Sequence, residues 1–261
     1  MVVTLLTDFG LKDEYAAVVK GVILGINPAV TLVDISHELS PGDIRRAGWL
    51  LSWAWRYFPR GSVHLAVVDP GVGSGRKILC LEYQGHFFLA PDNGLLTPIL
   101  REIRSPRLTA VTQKRFALKK ISSTFHGRDI FAPAAAYLSK GTSPRQLGDR
   151  VGSWKRFLIA DPVFEKKSAR GEIIAFDRYG SAITNLPGKR LAPMASSGQL
   201  NFRVKGRKLS GLKHSYADSP KGSPLAVVGS RGLLEIAVNL GSARSKWRLQ
   251  IGDPVTAHPA R

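Results

Sequence analysis

The chain has 261 residues, enough to bury a sizeable core and to form two domains at roughly 100–200 residues each. Hydrophobic residues make up 44% of the sequence and aromatic residues 8%, which excludes an intrinsically disordered protein and is typical of a globular one. Lys and Arg outnumber Asp and Glu by 38 to 19, and the resulting net charge of +19 raises nucleic acid as one class of partner.

The apolar runs are short, and Lys and Gly interrupt the most extended of them, VVKGVILGI (18–26). A membrane span needs roughly 18–20 uninterrupted apolar residues, so none is expected. The opening residues lack the basic region and the small-residue cleavage site of a secretory signal peptide. Cys80 is the only cysteine, which excludes an intrachain disulfide and a Cys-rich metal site. We therefore expect a cytoplasmic protein.

The first half of the chain alternates β-branched runs with amphipathic helical patterns. In chain order it predicts a buried strand at 2–6, a helix capped by Asp13, a strand at 30–35, a helix from Ser40-Pro41 through 48–58, a strand at 62–69, and a hairpin of 78–83 with 86–90. Ser at an N-cap followed by Pro at the first helical position is a favourable helix start. This alternation predicts a layered α/β domain with a mainly parallel sheet over residues 1–160.

The composition shifts in the second half. Charged residues are dense after residue 160, which predicts a linker over 161–170. Beyond it, Gly, Pro and Ser separate short strand-like runs at 172–176, 200–204, 224–228, 233–238 and 246–251. These runs show no long helical period, so they predict a smaller C-terminal β-barrel domain over 171–261.

Three glycine-containing turns carry carboxylates after predicted strands: TDFG (7–10), DPGVG (69–73) and DNG (92–94). Ligands bind beyond the carboxyl ends of strands in open parallel α/β sheets, and glycine lets the backbone approach them. Turn formation alone explains any one of these segments, whereas three at equivalent positions indicate a ligand site. His126-Gly127 also precedes a helix predicted to begin near Asp129, where the Gly127 amide could face an electron-rich ligand.

Six segments, taken in order, resemble a single family. They are TDFG (7–10), VDPGVGSGR (68–76), APDNGLL (90–96), TFHGRD (124–129), FDRYGSAITN (176–185) and GSRGLLEIAVNLGSA (229–243). The chain is similar in these segments to the S-adenosyl-L-methionine (SAM) hydrolases that form adenosine, also called SAM hydroxide adenosyltransferases, which are related to fluorinases and chlorinases. The resemblance covers nearly the whole chain.

The resemblance implies that water attacks the ribose C5′ carbon of SAM and releases adenosine and methionine without a cofactor or a metal. It assigns the activation of water to Asp69, Arg76 and His126. The fluorinase has Tyr at the Asp position and Tyr-Ser in place of His126-Gly127, so this sequence falls on the water-using side. The implied substrate-binding residues are Gly127, Asp8 for the ribose, Asp177, Ser230 and Arg231 for the methionine part, and Tyr179, Ser181, Tyr216, Asn239 and Leu240 for the adenine.

One position departs from the family pattern. Members commonly have Asn after the glycine of the D-R-[FY]-G-N segment, and this chain has Ser181. The shorter side chain is expected to weaken an adenine contact or to admit a water. The family also implies a homotrimer in which the N-terminal domain of one subunit and the C-terminal domain of its neighbour share each site.

Three other functions stay open at this point. A SAM-dependent 5′-halogenase would have to hold a halide beside Asp69. A nucleic-acid-binding or substrate-sensing protein without turnover would account for the net charge. The basic residues are dispersed, however, except at 203–213, and carry no aromatic stacking platform, so we expect a solvated basic surface rather than a nucleic-acid partner. A metal hydrolase would use Asp69 and His126, but no second His or HExxH spacing accompanies them. Singly, Asp177 with Arg178 could also be a surface ion pair, and Tyr216 ordinary barrel core.

Overall fold

The structure is a computed structural model that describes residues 1–195 and 199–260. The chain separates into two compact units, Met1–Leu158 and Ile159–Arg261. Each unit has its own hydrophobic core. Across the described residues, every helix is too short or too polar to cross a membrane.

The first unit is a mixed sheet with helices. Its elements are β1 (Val2–Thr7), α1 (Tyr15–Ile26), β2 (Thr31–Ser36), α2 (Ile44–Ala54), β3 (Val63–Val67), β4 (Ile78–Tyr83), β5 (His86–Pro91), α3 (Thr97–Leu100), β6 (Arg107–Ala110) and α4 (Ala132–Ser139). The strand order is β2-β1-β3-β5-β4-β6. The first three pairings are parallel and the last two antiparallel. This arrangement confirms the predicted α/β class.

Both faces of the sheet are buried. Along β1, Leu5 belongs to one apolar cluster and Leu6 to the other, because successive side chains of a strand point to opposite faces. One cluster includes Ile23 of α1 and Ala135 of α4, and the other includes Leu51 of α2. Burial on both faces explains why the central strands are continuous apolar runs rather than alternating ones.

The helices predicted to start near Asp13 and Ser40 begin at later residues in the structure. The N-cap of α1 is Glu14. The N-cap of α2 is Asp43, whose carboxylate accepts a hydrogen bond from the Arg46 amide at 3.0 Å. Gly42 has a φ of +75°, and this left-handed residue separates the Ser40-Pro41 pair from the helix.

The second unit is a curved sheet. Its elements are β7 (Val163–Glu165), β8 (Ser168–Phe176), β9 (Ala182–Pro187), α5 (Gly188–Ala195), β10 (Leu200–Val204), β11 (Arg207–Ser210), β12 (Leu212–Lys213), β13 (Pro224–Val228), β14 (Leu233–Val238), α6 (Ala243–Trp247) and β15 (Pro254–Pro259). The order is β11-β10-β15-β8-β9-β14-β13-β12, with β7 beside β8. Only Gly211 separates β11 from β12, the two end strands, so the sheet curls nearly into the predicted barrel.

Two segments of this unit differ from the sequence expectation. The linker expected over 161–170 contains β7 and the start of β8, which pair with each other. A short hairpin with charged residues at its exposed positions has the same amino-acid composition as a linker, so composition did not distinguish the two. The strand predicted over 246–251 is wrong, because Ser242 caps α6 there and Arg248 ends it with a φ of +51°. Trp247 is buried by this helix end.

Candidate active site

Two neighbouring parallel strands deliver two carboxylates to one edge of the first sheet. Thr7 pairs with Val67 in the register of β1 with β3. Asp8 and Asp69 follow one and two residues later, so both lie at the carboxyl ends of adjacent strands. This is the edge where ligands bind in open α/β sheets.

The third turn, after β5, supports this edge. The Asn93 amide donates to the Val68 carbonyl at 2.8 Å and so holds the residue that precedes Asp69. The Asp92 carboxylate is 8% exposed and accepts a hydrogen bond from the Lys155 amide at 2.7 Å. These contacts give the turn a supporting role.

Asp69, Arg76 and His126 form one connected group. Arg76 Nε donates to Asp69 Oδ2 at 2.7 Å, and Arg76 Nη2 donates to the same oxygen. The same Nη2 lies 3.1 Å from His126 Nδ1. The side chains of Asp69 and Arg76 are only 5% and 6% exposed. Three side chains far apart in the sequence therefore meet at this edge.

The second oxygen of Asp69, Oδ1, is available to a ligand. Among residues 1–195 and 199–260, this atom is buried and finds no hydrogen-bond partner. A buried carboxylate oxygen without a partner is costly, so a water or a substrate hydroxyl is expected to occupy the position next to it. Asp69 lines a cavity of about 310 Å³ that can hold such a group.

His126 is neutral near pH 7. Burial, followed by the positive charge of Arg76, lowers the pKa of His126 below its usual value, against the opposing effects of Asp69 and Asp129. Arginine is a donor only, so His126 Nδ1 must accept the hydrogen bond from Arg76. The proton of the neutral ring is then on Nε2, which remains a hydrogen-bond donor.

The cavity has aromatic walls as well as polar ones. It is lined by Asp8, Phe9, Pro41, Gly42, Val67, Asp69, Pro70, Val72, Thr124, Phe125, His126 and Gly127. The rings of Phe9 and Phe125 meet edge to face at 5.8 Å. A Cβ atom at Gly127 would lie 3.1 Å from Phe9, so a larger residue there would press on this wall. Neither aromatic residue was predicted to line the site, although Phe9 lies inside TDFG (7–10) and Phe125 inside TFHGRD (124–129).

The loop between β2 and α2 fixes the turn that carries Asp8. Thr7 Oγ1 lies 2.7 Å from His37 Nδ1, and the Gly10 amide donates to the His37 carbonyl at 2.8 Å. The Gly42 amide donates to Asp8 Oδ2 at 2.8 Å. Neither His37 nor Gly42 was predicted from the sequence. The available signal was topological, since β2 ends at the same edge as β1.

In the second unit, Asp177 begins the tight turn between β8 and β9. Its Oδ1 accepts a hydrogen bond from the Ser181 amide at 2.8 Å, and its own amide donates to the Ser181 carbonyl at 3.1 Å. Ser181 is 5% exposed, whereas Tyr179, in the same turn, is 77% exposed. The turn therefore presents an aromatic side chain to solvent.

A buried carboxylate that the sequence analysis missed, Glu235, joins two predicted site residues. It accepts hydrogen bonds from the Tyr216 hydroxyl at 2.8 Å and from Arg231 Nη1 at 3.3 Å, and it is 1% exposed. Burial, then the bond to Glu235, raises the pKa of Tyr216 to about 12, so the phenol stays protonated. The charge of Asp177 also acts on this phenol. The available signal was a single Glu inside the apolar run 233–238.

The remaining predicted residues lie in loops of the second unit. Ser230 is exposed between β13 and β14. The Asn239 amide donates to the Ser219 carbonyl at 2.7 Å. Leu240 is 79% exposed with a φ of +52°. Their ligand roles, like those of the other predicted site residues, remain predictions.

The described residues, 1–195 and 199–260, contain no group of three or more His, Cys, Asp or Glu side chains that could hold a metal ion. Cys80 is buried in the sheet, and burial raises the pKa of its thiol. A thiol in this environment is a poor nucleophile.

Comparison with known proteins gives the family. Residues 3–148 match the SAM hydroxide adenosyltransferase N-terminal domain, and residues 171–256 match the corresponding C-terminal domain. The chain is 40% identical to the (R)-S-adenosyl-L-methionine hydrolase of Thermus thermophilus, over 96% of both chains. It is 34% identical to the enzyme of the same name from Salinispora tropica, over 95% of this chain and 94% of that one.

A solved structure and more distant relatives are also similar to this chain. The crystal structure of an uncharacterized conserved protein from Thermotoga maritima superposes with a TM-score of 0.92 at 35% identity, covering 99% of this chain and 100% of that one. Proteins named fluorinase match at 22–25% identity.

Proposed function

Because the chain belongs to the SAM hydroxide adenosyltransferase family, we propose that it hydrolyses S-adenosyl-L-methionine to adenosine and L-methionine. The observation that carries this function is the buried Oδ1 of Asp69, which lies beside Arg76 and His126 and has no hydrogen-bond partner among the described residues. A carboxylate oxygen in that position can accept a proton from water. The activated water is the nucleophile that the reaction requires.

The substrate provides the leaving group. Water attacks the ribose C5′ carbon, the C5′–S bond breaks, and its electron pair neutralises the sulfonium to give the thioether of methionine. The proton of the water passes to Asp69 and then to solvent, so one proton is released per turnover. In-line alignment of the water oxygen, C5′ and sulfur supplies part of the rate enhancement, up to about 7–11 kcal/mol in well-oriented systems. The balance requires no cofactor.

Arg76 and His126 hold the nucleophile and its base. Arg76 occupies Asp69 Oδ2 with two donors, which leaves Oδ1 directed at the ligand. The Nε2–H of neutral His126 donates to the water oxygen, and this donor stabilises the hydroxide character that develops during attack. A geometry fixed before the reaction costs no reorganisation in the transition state.

The other predicted residues bind the three parts of the substrate. Asp8 and the Gly127 amide lie at the cavity that would hold the ribose. Asp177 receives the ammonium of the methionine part, and Arg231, positioned by Glu235, receives its carboxylate together with Ser230. The adenine contacts are assigned to Tyr179, Ser181, Tyr216, Asn239 and Leu240.

The proposal includes a homotrimer in the cytoplasm. The residues assigned to ribose and water all precede residue 150, and those assigned to methionine and adenine all follow residue 170. This division suits a site to which two neighbouring subunits contribute one set each. A cyclic trimer generates three such sites by symmetry.

The reaction in oxygen-18 water tests the function. Label is expected in the 5′-hydroxyl of the adenosine product, because the new C–O bond comes from solvent. Unlabelled adenosine, or no adenosine, contradicts the proposal. Parallel reactions with chloride or fluoride are expected to give no 5′-halogenated product, because Asp69 repels an anion at the nucleophile position. A halogenated product would identify a halogenase instead.

A further inference from the structure

The outer face of the second sheet carries a row of positive charge. In the register of β11, β10, β15 and β8, Lys208 pairs with Arg203, Arg203 with Thr256, and Thr256 with Arg170. Directly paired residues present their side chains on the same face of a sheet. Lys208, Arg203 and Arg170 are exposed, and four strands span about 14 Å. This row, with Lys167 at its margin, is called the basic face below.

The basic face is not explained by folding. Like charges directly opposite one another destabilise an antiparallel pair, and Arg203 lies directly opposite Lys208. Within the described residues, no carboxylate forms an ion pair with either side chain. On β7 and β8, register and strand alternation place two carboxylates on the same face: Glu172, two residues after Arg170, and Glu165, which accepts a hydrogen bond from the Ser168 hydroxyl at 2.7 Å. An external anion would relieve the repulsion.

A large cavity lies over the same strands. Its volume is about 1200 Å³, and its lining includes Lys167, Asn201, Arg203, Lys208, Ser210 and His258. Asn201 pairs with both Ser210 and His258 in the register, so a second row of hydrogen-bonding side chains runs beside the cationic row. Cationic and neutral polar groups together match the contacts that proteins make to phosphate and sugar.

The charge is also not required by the proposed reaction. SAM is itself a cation, and a net charge of +19 repels it from the protein as a whole. The cavity that contains Asp69 instead places carboxylates where the substrate binds. The excess of basic residues is therefore not accounted for by the substrate.

From these observations we infer that the basic face binds the phosphodiester backbone of nucleic acid. A row of cations across four strands matches a repeating chain of phosphates better than a single phosphate ion. Val163 is the one large exposed hydrophobic residue on the described strands of this face, so the anchors for a lipid surface are lacking. The two described rows contain no Phe, Tyr or Trp and a single imidazole, that of His258, which favours contacts to the backbone over base stacking, and hence binding with little sequence preference.

The test measures binding of a fluorescent 20-nucleotide single-stranded RNA and a 20-base-pair DNA duplex at several salt concentrations. The variant R203Q/K208Q removes two charges from the face, and R104Q/K140Q removes two exposed charges from the first unit as a matched control. The charge-conserving variant R203K/K208R keeps the row intact. SAM hydrolysis is measured on each protein, and none of these residues is assigned to that site.

For the full chain, a log–log salt slope of about −3 is expected from roughly four phosphate contacts. R203Q/K208Q is expected to bind about tenfold more weakly or worse at 100 mM salt, with a slope reduced by about two, whereas the control and the charge-conserving variant stay within about twofold. Hydrolysis should be unchanged, and the melting temperature of R203Q/K208Q should not fall, because the variant removes the repulsion between two opposed charges. An equal loss in R104Q/K140Q, no binding by the full chain, or binding only to phosphatidylserine vesicles would overturn the inference.

Discussion

The two oxygens of Asp69 have different surroundings, and this difference makes one carboxylate suitable as a base. Arg76 saturates Oδ2 with two donors, while Oδ1 is buried without a partner in the described part of the chain. A freely rotating carboxylate would have to be ordered at the moment of reaction. Here the guanidinium has already fixed the orientation, so the available oxygen is preorganised.

Asp69→Asn tests this assignment with almost no change of shape. The amide cannot accept the proton of water as a carboxylate does, so kcat is expected to fall about 10²–10⁴-fold, the usual contribution of a general base. KM should change much less, because the contact assigned to this side chain is to the attacking water rather than to SAM. Adenosine formation under saturating SAM measures the effect. Asp149→Asn, at an exposed position away from the cavity, serves as the control and should keep full activity.

Residue roles were predictable from sequence only where a motif exists. Asp69, Arg76 and His126 belong to motif segments, so the resemblance identified them, and the structure places them in contact. Glu235 and His37 act through other residues rather than on the ligand. Glu235 even lies inside a motif segment, 229–243, but the importance of both residues follows from hydrogen bonds that link distant strands and loops, and membership of a motif does not encode those bonds.

At the scale of elements, the loop between β2 and α2 positions the site. His37 is 3% exposed and lies between Thr7 Oγ1 at 2.7 Å and Asp34 Oδ1 at 3.1 Å. Asp34 in turn bonds Lys20 at 2.6 Å. This chain of contacts ties α1 and β2 to the turn that carries Asp8.

His37→Ala is expected to raise KM for SAM about tenfold or more while lowering kcat far less, because it frees the Asp8 turn and leaves the Asp69 group intact. His37→Gln retains a hydrogen-bonding group for Thr7 and should restore part of the affinity. Steady-state kinetics of both variants check the split. A loss confined to kcat, or equal KM values for all three proteins, would show that the loop does not position the substrate.

A second buried cluster makes the first sheet sensitive to acid. His64 is fully buried, with Nδ1 at 2.8 Å from Thr4 Oγ1 and Nε2 at 3.1 Å from His86 Nδ1. Burial, then the charge of His86, lowers the pKa of His64 to about 3, and burial with Arg60 lowers that of His86. Below about pH 6.5, His64 therefore binds a proton in the unfolded chain but not in the folded chain. The contribution of neutral His64 to the free energy of unfolding is fully present above that pH and is lost as the pH falls toward 3.

Thermal unfolding at pH 7.5 and pH 4.5 measures this loss. His64 should account for about 2–3 kcal/mol between pH 6.5 and 4.5. His64→Gln cannot titrate, so its melting temperature should fall less than that of the parent over the same interval, even if it is lower at pH 7.5. His258→Gln, at an exposed position in the second unit, should behave like the parent. Parallel pH profiles of parent and His64→Gln would refute the role of the pair.

Strands were more predictable than helix boundaries. Apolar runs bounded by Gly, Pro and Asn located β1, β3, β4, β5, β10, β13 and β14, because burial leaves a direct trace in composition. The start of α2 depends on the φ of Gly42 and the cap of Asp43, and α6 on the cap of Ser242. Caps and left-handed residues are decided by one or two residues, and alternative starts such as Ser40-Pro41 fit the sequence equally well.

At the scale of the whole molecule, the sign of the net charge is opposite to the charge of the carboxylates assigned to the substrate. The net charge of +19 repels a cationic substrate, whereas the cavity of the first unit is lined by two carboxylates, those of Asp8 and Asp69. Composition predicted the global charge but not its distribution. The row on β8, β10 and β11 emerges only from the strand register.

The two sets of residues in the proposed site come either from one chain or from two neighbouring subunits. Asp69→Asn disables the set assigned to water, and Arg231→Gln disables the set assigned to methionine. If each site takes one set from each of two neighbouring subunits, mixing the two variants and allowing subunit exchange should restore about one quarter of the sites in a randomly mixed ring. If each chain supplies both sets to its own site, every site carries a defect and the mixture stays inactive. Adenosine formation before and after exchange distinguishes the arrangements, with each variant alone as the baseline.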